Sequence, residues 1–457
     1  MPTARSAPLA KLSVLEKIGF GAGDAAVNVV WSSMALILTF FYTDVFGLRV
    51  EHLGMLIFIP RLIDAFADVA MGMLTDAYTT RYGRYRPYLL YGAVPFGIAI
   101  MIVFTTPDFA YAGKLAWAYV TYTLLMLVFT SVTIPYISLP GVITDDPQER
   151  LSANGYRLFF AKIAALMVAT FVPLFAARWG DAEKARGYQV SMAFMAGVAT
   201  ALFLFCFLTT TERVKHVIDR KPLRLQLSLL LRNDQWLVLA AVCIIGTIGY
   251  VIRGSVALFY AKYYLGGDAR LQSVFITTGV AGNILAMVAS TWITKKFCKI
   301  QLFRWTQILV FALSAALYFL VGPGDTALAL GLFFLIQFVV DLHAPVFWSA
   351  ISEAVDYGEM KSGRRVAGLA FGGISWCQKM GMSLAGLIVG GLLTHYGYVA
   401  DAVQSTFTLN GIALLLTVIP GSFHLLMGLL MFRYRITDAF YERMKRDHLI
   451  ATATPVP

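Results

Sequence analysis

The chain has 457 residues, of which 58% are hydrophobic and only 14% are charged, and its mean hydropathy is +0.70. This balance excludes an ordinary soluble globular protein and is typical of a polytopic membrane protein. The net charge of +11 does not predict nucleic-acid binding, because the basic residues form no single patch or stripe.

Apolar runs long enough to cross a bilayer, about 20 residues each, recur twelve times along the chain. They begin near Lys17, Arg49, Tyr88, Gly113, Arg150, Tyr188, Gln235, Leu271, Leu302, Thr326, Ala367 and Thr406. The longest polar connection follows the sixth run and divides the chain into six runs plus six. We therefore predict an all-α integral membrane protein with twelve transmembrane helices in two six-helix bundles, an arrangement typical of transporters.

The predicted divisions are an N-terminal bundle at 1–211, a cytoplasmic linker at 212–234, a C-terminal bundle at 235–434 and a cytoplasmic tail at 435–457. With both termini in the cytoplasm, most of the 37 Lys and Arg residues fall in inner loops and tails, as the positive-inside rule requires. No cleavable signal peptide is expected, because the first dozen residues are polar and basic and lack a small-residue cleavage site.

The first predicted span contains GFGAGDAAVNVVW, whose small residues permit close helix packing. Asp24 places an acid inside the membrane and is a candidate substrate ligand. Asn28, four residues further on, shares its helix face. Trp31 also lies on that face, where its ring either stacks on a sugar or packs in the core.

The second span, RLIDAFADVAMGMLTD, carries two carboxylates inside an apolar field. Asp64 and Asp68 are four residues apart, so they share one helix face with Arg61. Because a carboxylate is costly at bilayer depth, the pair is predicted to bind positive charge, either H⁺ or Na⁺. The alternative is a structural salt-bridge cluster with Arg61 and basic residues of other helices.

Charged residues cluster at two predicted inner helix ends. Asp76 ends the second span, and the loop RYGRYRP follows with Arg81, Arg84 and Arg86. These charges predict a latch between helix ends, although the same pattern suits an ordinary topogenic loop. The spacing of Gly72, Asp76 and the basic cluster resembles the loop signature of the major facilitator superfamily, which implies a gating role. In the second half, EAVDYGEMKSGRR places Asp356 at an acidic helix end before a basic loop, which we interpret as a cytoplasmic gate or cap.

Polar side chains in later spans extend the predicted site. Thr130 in the fourth span either lends an oxygen to a cation or bonds to its own helix, and Thr133 lies within reach of the same cavity. Arg157 in the fifth span offers a guanidinium fork to sugar hydroxyls or to a carboxylate. Lys379 lies in a Gly-rich apolar run of the eleventh span, too deep for easy snorkelling, and is expected to pair with an intramembrane acid.

The sequence contains no enzyme motif. Nucleophile-elbow, metalloprotease and ATP-binding-loop patterns are absent, and the four cysteines lack metal-site spacing. We therefore expect no enzyme, no cofactor beyond the coupling ion, and no metal other than sodium at Asp64 and Asp68. The depths of four polar residues stay open: Lys162, Arg253, Asp341 and His343.

Several of these segments together resemble the glycoside-pentoside-hexuronide:cation symporters, the group of the major facilitator superfamily that contains the melibiose permease. The similarity extends from Leu15 to about Phe440. Its landmarks are GDAAVN, FFYTDVFGL, RLIDAFADVAMGMLTD with RYGRYRP, IPYISL, ERLSANGYR and DYGEMKSGRR. The resemblance implies that Asp64, Asp68 and Thr130 hold the coupling cation and that Asp24 and Arg157 contact the sugar.

The lysine of the eleventh span, Lys379, matches the family lysine that links the cation and sugar sites electrostatically. Three positions depart from the melibiose permease. Ala67 replaces an Asn between the two carboxylates, which weakens the case for sodium. Thr133 and Ile137 replace an Asp and a Trp that contact the galactoside, so we expect a sugar other than melibiose. With Arg157 retained, an acidic sugar such as a glucuronide should be better tolerated.

The sequence thus predicts a secondary transporter of a bacterial inner membrane that imports a glycoside, oligosaccharide, pentoside or hexuronide with a proton or sodium ion by alternating access. Two alternatives stay open: a lysophospholipid-type lipid carrier of the same family, and a transport-incompetent sugar sensor. The expected partners are the sugar, the cation and the lipid bilayer, with no nucleic acid, and the protein is expected to function as a monomer.

Overall fold

The computed structural model describes residues 11–77, 80–144, 146–180, 183–214, 223–294, 296–364 and 366–453. Within these ranges the chain is largely helical, and its β-structure is limited to one isolated bridge between Thr80 and Gly83. The predicted all-α class is therefore confirmed.

The chain folds as two compact units, one of Met1–Ile218 with Asp268–Thr277 and one of Asp219–Gly267 with Thr278–Pro457. The long helices of the first half are α1 (Val14–Leu36), α2 (Val50–Ala77), α3 (Arg86–Val103), α4 (Tyr111–Ser138), α5 (Pro147–Gly180) and α6 (Lys184–Thr209). Those of the second half are α7 (Asp234–Phe259), α8 (Ala269–Ile293), α9 (Lys299–Leu320), α10 (Thr326–Asp341 and Ala344–Ser362), α11 (Ala367–His395) and α12 (Thr406–Leu416 and Val418–Leu430). The domain boundaries drawn from the sequence stay a prediction.

Shorter helical segments connect or extend these helices. Pro140–Ile143 follows α4, Leu223–Leu231 precedes α7, and Asp438–Ala453 follows α12. Two π-helical turns, Phe41–Val45 and Tyr260–Tyr264, lie beyond the ends of α1 and α7.

In the described part of the chain, nine helices are long and apolar enough to cross a membrane, or ten when the bent pair Val14–Leu36 and Leu38–Val45 counts as one span. Two more helices, α2 and α11, contain 28 and 29 residues and are at least about 42 Å long, which is enough to cross a bilayer. Their charged residues, such as Asp64, Asp68 and Lys379, lower their hydropathy. Counted with the ten, they give the twelve long helices that the sequence predicts.

Close packing fixes α1 in the first unit, where it lies chiefly against α5 and α6. A Cβ atom at Gly23 would lie 2.9 Å from the Cys206 Sγ and closer still to the Tyr136 ring. Tyr136 of α4 donates a hydrogen bond to the Phe20 carbonyl at 2.7 Å. The glycines that the sequence marks for packing therefore bring α1 against α4 and α6, and this contact determines where Asp24 lies.

Arg253, whose depth the sequence leaves open, is only 1% exposed in α7. Its Nε donates to the Leu416 carbonyl at 3.1 Å, and its Nη2 donates to Ser314 Oγ at 2.8 Å. In a continuous helix the Leu416 carbonyl would accept from the residue four positions on, but that residue is Pro420, which has no N–H. The guanidinium therefore supplies the donor that the interrupted helix α12 lacks.

A row of polar side-chain contacts connects α12, α9 and α10 in the second unit. The His424 Nδ1 lies 2.9 Å from the Gln307 Oε1, and the Gln307 Nε2 lies 3.1 Å from the His343 Nδ1. Asp341 is buried near the break in α10. Lys162 is half-buried on α5 of the first unit. The hydrogen bonds of Arg253 and the contact of His343 with Gln307 therefore lie within the second unit.

The Arg253 contact predicts a coupling with Pro420. In Arg253→Met the Leu416 carbonyl loses its donor, and leaving a buried acceptor unpaired costs about 1–3 kcal/mol. In a Pro420→Ala background the restored backbone N–H can take over, so the cost of Arg253→Met should fall by about 1–2 kcal/mol. Thermal unfolding of the four purified proteins measures this difference.

Pro173→Ala provides the matched control, because Pro173 lies inside the continuous helix α5 in the other unit. Its effect should add to that of Arg253→Met without coupling. Equal coupling for both prolines would contradict the assignment of Arg253 to the α12 break.

Candidate functional site

The predicted cation ligands meet where α2 contacts α4 in the first unit. Asp64 is 3% exposed and Asp68 is half-buried. The Thr130 hydroxyl lies 2.7 Å from Asp68 Oδ1 and makes a shorter hydrogen-bond contact with Asp64 Oδ1. The fold thus brings together all three residues that the sequence predicts at this point.

The contacts of Thr130 constrain the charge of this cluster. A hydroxyl group carries one proton and can donate it to only one carboxylate. Two ionised carboxylates this close would also repel each other in a buried environment. The second contact is therefore favourable only when one carboxyl group is protonated or a cation shares the oxygens. This arrangement is chemically suited to taking up and releasing positive charge.

Arg61 lies on the same helix as the two carboxylates and is 5% exposed. Its Nε donates to the Tyr122 hydroxyl at 2.9 Å. Tyr122 lies about two helical turns before Thr130 on α4. The α2–α4 contact is therefore held by polar bonds at two levels, one from Arg61 and one from Thr130.

The residues predicted for sugar binding occupy α1, α4 and α5 of the same unit. Asp24 is 6% exposed, and its Oδ1 lies 3.4 Å from the Arg157 Nε. The Asn28 Nδ2 donates to the Asp24 carbonyl at 2.9 Å and to its Oδ2 at 3.2 Å. Asp24 and Arg157 thus form an ion pair between α1 and α5, and Asn28 orients the carboxylate.

Among the residues predicted to bind sugar, two buried polar atoms have no hydrogen-bond partner in the described part of the protein: Thr133 Oγ1 and Arg157 Nε. An unpaired buried polar atom costs about 1–3 kcal/mol, so these atoms are positioned for a hydroxylated ligand. Trp31 is half-buried on α1.

Lys379 is half-buried on α11 in the second unit.

The predicted gating residues are divided between the units. In the first, Arg84 Nε donates to the Thr75 carbonyl at 2.9 Å, and the Arg81 guanidinium lies over the ring of the adjacent tyrosine. In the second, Asp356 accepts a hydrogen bond from the Tyr441 hydroxyl at 2.5 Å.

Two further gating predictions concern the ends of the same loop. Arg86 Nη2 donates to the Phe207 carbonyl at 2.7 Å, and its guanidinium lies 4.6 Å from the centre of the Phe207 ring. The backbone of Asp76 belongs to the last turn of α2, whereas its side chain lies outside the described part of the structure.

Sequence reasoning missed Glu212, which follows α6. Its carboxylate accepts hydrogen bonds from three consecutive backbone amides, those of Arg84 at 2.8 Å, Tyr85 at 2.7 Å and Arg86 at 2.9 Å. These partners precede Glu212 by 126 to 128 residues, so no local pattern could reveal the contact.

A family model described as MFS/sugar transport protein matches residues 19–438. The chain belongs to this family. This chain is 35% identical over 426 residues to the inner membrane symporter YicJ of Escherichia coli (strain K12), and the match covers 93% of this chain and 92% of YicJ. It is also 35% identical over 454 residues to the putative glycoside/cation symporter YagG of the same strain, covering 98% of each protein. The solved D-xylose-proton symporter shares the fold, with a TM-score of 0.64, 17% identity and coverage of 92% and 96% of the two chains.

These similarities confirm the resemblance to the glycoside-pentoside-hexuronide:cation symporters and the predicted major facilitator fold. Cation-coupled sugar symport is confirmed at the level of the family, and the lipid-carrier and sensor alternatives are not favoured. Because the family and the matched structure are transporters, this membrane protein is not an enzyme.

The shared hydroxyl predicts a strong effect of Thr130→Val, which keeps the side-chain shape and removes the bridging oxygen. Hydrogen bonds to charged groups contribute about 1.5–3 kcal/mol, so apparent cation affinity should fall by at least about tenfold. Thr130→Ser should retain most of it. The cation dependence of sugar uptake measures both effects.

Thr121→Val is the matched control on α4, because the Thr121 hydroxyl donates to the Trp117 carbonyl of its own helix at 2.8 Å. Unchanged cation affinity is expected for this variant. If Thr130→Val behaved like Thr121→Val, the bridging contact would have no part in cation binding.

Proposed function

We propose that the coupling cation is a proton and that Asp64, Asp68 and Thr130 bind it. The observation that carries this proposal is the single hydroxyl in contact with both carboxylates. A proton needs only one acceptor oxygen, whereas sodium needs several oxygen ligands around it. Ala67, which lies between the carboxylates in sequence, contributes no side-chain oxygen. The lack of a side-chain oxygen at position 67 removes one ligand that sodium could use, and we therefore take the proton as the coupling ion.

We propose further that the sugar binds at Asp24, Trp31, Thr133 and Arg157 of the first unit. Substrate binding by Lys379 stays a prediction from the sequence. The Thr133 hydroxyl, which has no hydrogen-bond partner among the described residues, can bond to a sugar oxygen. So can the Arg157 Nε, whose 3.4 Å contact with Asp24 is an ion pair and not a hydrogen bond. The half-buried indole of Trp31 offers an apolar face to a sugar ring. The name of YagG, a glycoside/cation symporter, agrees with a glycoside as substrate.

The charge of this region favours a neutral glycoside. The expectation of an acidic sugar rests on the positive charge of Arg157, but Asp24 lies 3.4 Å from the guanidinium and neutralises it. A hexuronide carboxylate would have to displace Asp24 and leave it buried without its partner, which is costly. A neutral glycoside can bond to both side chains while the ion pair persists.

In the proposed cycle, protonation of the Asp64 and Asp68 pair precedes sugar binding, and alternating access then carries both substrates across the membrane. The coupling is reciprocal, so bound sugar should also strengthen proton binding. We propose gating roles at the helix ends for five residues: Asp76, Arg81, Arg84, Arg86 and Asp356. We also propose that the protein acts as a monomer in a bacterial inner membrane with both termini in the cytoplasm.

The pH of a weakly buffered, de-energised suspension of expressing cells tests the proton. Adding the transported glycoside should make the medium alkaline with the wild-type protein and leave the pH unchanged with Asp68→Asn. Concentrative uptake in Asp68→Asn should fall by at least about tenfold, because sugar flux loses its coupling to the proton gradient. Immunoblots of membranes establish that the variant inserts.

Normal accumulation in Asp68→Asn would refute the carboxylate site. Sodium-stimulated uptake of labelled sugar without a pH change would instead identify sodium as the coupling ion. The sugar panel should contain neutral glycosides and hexuronides, each with and without sodium.

Substrate charge is tested with Asp24→Asn, which leaves Arg157 without its carboxylate. Uptake of neutral glycosides should fall, and the ratio of hexuronide to neutral-glycoside affinity should rise by about tenfold. Competition between labelled neutral glycoside and unlabelled hexuronide measures the ratio. Asn28→Ala removes a hydrogen bond to Asp24 without a change of charge, so it should leave the ratio unaltered. Preferential transport of hexuronides by the wild-type protein would overturn the proposal.

A further inference from the structure

The three residues Glu212, Arg213 and Val214 form contacts with three other parts of the first unit. We name this segment the α6 clasp, because it follows α6 directly and precedes the connection to the second unit. It lies at the predicted inner end of the unit, where α1, α3 and α5 begin and α2, α4 and α6 end.

Glu212 joins the clasp to the basic loop before α3. Its two carboxylate oxygens accept the backbone N–H groups of Arg84, Tyr85 and Arg86 at 2.7 to 2.9 Å. Gly83 has a positive φ of +109°, and a Cβ atom there would lie 2.5 to 2.7 Å from the Glu212 carboxyl group. A glycine is therefore required at position 83 both by its conformation and by the approach of Glu212.

Arg213 and Val214 join the clasp to α1 and to the short helical segment Pro140–Ile143 that follows α4. The backbone amides of Arg213 and Val214 donate to the Val142 carbonyl at 2.8 and 2.9 Å. The Arg213 Nη2 lies 2.5 Å from the Glu16 Oε1. Glu16 also caps the start of α1, because its other oxygen accepts the Ser13 amide at 3.0 Å.

The joined helices are those that carry the candidate site. α1 bears Asp24, and α4 bears Thr130 and Thr133, so the clasp links the ends of both helices to the loop that contains Arg84 and Arg86. We propose that the α6 clasp makes these helix ends move together during transport, and that Glu212 and Arg213 are its positioning residues. The proposal rests on the transport activity of the family and is independent of which sugar or cation is carried.

The first test compares Glu212→Gln with Gly83→Ala. Gln offers one acceptor oxygen in place of two, and Ala at position 83 pushes the carboxyl group away from the loop. The maximal uptake rate should fall at least about fivefold in each, with the half-saturation concentration and the equilibrium binding constant within about twofold. Rates are measured with the glycoside or hexuronide that the wild-type protein takes up fastest.

Gly47→Ala is the matched control for backbone strain. Gly47 also has a positive φ, +83°, but no atom lies within 4 Å of its hypothetical Cβ. This variant should keep the wild-type rate. Unchanged rates in both Glu212→Gln and Gly83→Ala, or a parallel loss of binding and rate, would overturn the proposal.

A double-mutant cycle tests the second half of the clasp and remains informative if Glu212→Gln fails to fold. Glu16→Gln keeps the oxygen that caps α1 but loses the charge that attracts Arg213. Glu16→Gln and Arg213→Gln should each lower the rate by about threefold, and the double variant should be no slower than either single variant. Lys17→Gln, which breaks the neighbouring Lys17–Glu149 pair at 2.8 Å, should leave the rate unchanged. Additive losses, or an equal loss in Lys17→Gln, would contradict the clasp.

Discussion

One hydroxyl proton between two acidic side chains is the constraint on which the first unit depends. Thr130 contacts both Asp64 and Asp68, and a single proton cannot satisfy two ionised carboxylates. The contact between α2 and α4 is therefore strongest when a proton or cation is present and weakest when both carboxylates are ionised. In the proposed cation site, cation binding and helix packing are therefore parts of the same equilibrium, because the bound charge also stabilises the contact.

The two proposed binding regions differ in their polar contacts. The cation region has two acids bridged by a hydroxyl, whereas the neighbouring region pairs Asp24 with Arg157. Thr130 and Thr133 are three residues apart on α4 and so share a face of that helix. A shift of α4 that accompanies protonation of Asp64 or Asp68 would therefore also move the hydroxyl of Thr133, which has no hydrogen-bond partner among the described residues. This provides a direct physical route for reciprocal coupling, without a long chain of intermediate residues.

The sequence could predict the polar cluster of Asp64, Asp68 and Thr130, because an acid inside an apolar run always needs an explanation. The spacing of Asp64 and Asp68 places them on one face, and their meeting with Thr130 follows from the packing of α2 on α4. The roles of Arg253 and Glu212 could not be predicted in the same way. Arg253 bonds to the Leu416 carbonyl because Pro420, which is distant in sequence, has no backbone N–H to donate. Glu212 accepts hydrogen bonds from backbone amides of the loop before α3, which is also distant in sequence. Neither contact leaves a periodic pattern in the local sequence.

A comparison of the two halves explains why the carboxylate pair lies on only one of the corresponding helices. Each of the π-helical turns Phe41–Val45 and Tyr260–Tyr264 is followed, after one intervening residue, by a glycine with positive φ. The two turns are 219 residues apart in sequence, and so are the starts of α2 and α8. At that offset Asp64 corresponds to Asn283. Asn283 is buried like Asp64, and its Oδ1 has no hydrogen-bond partner among the described residues. Because an amide carries no negative charge, that helix can retain the polar atom without requiring a cation, and the demand for positive charge stays with Asp64 and Asp68.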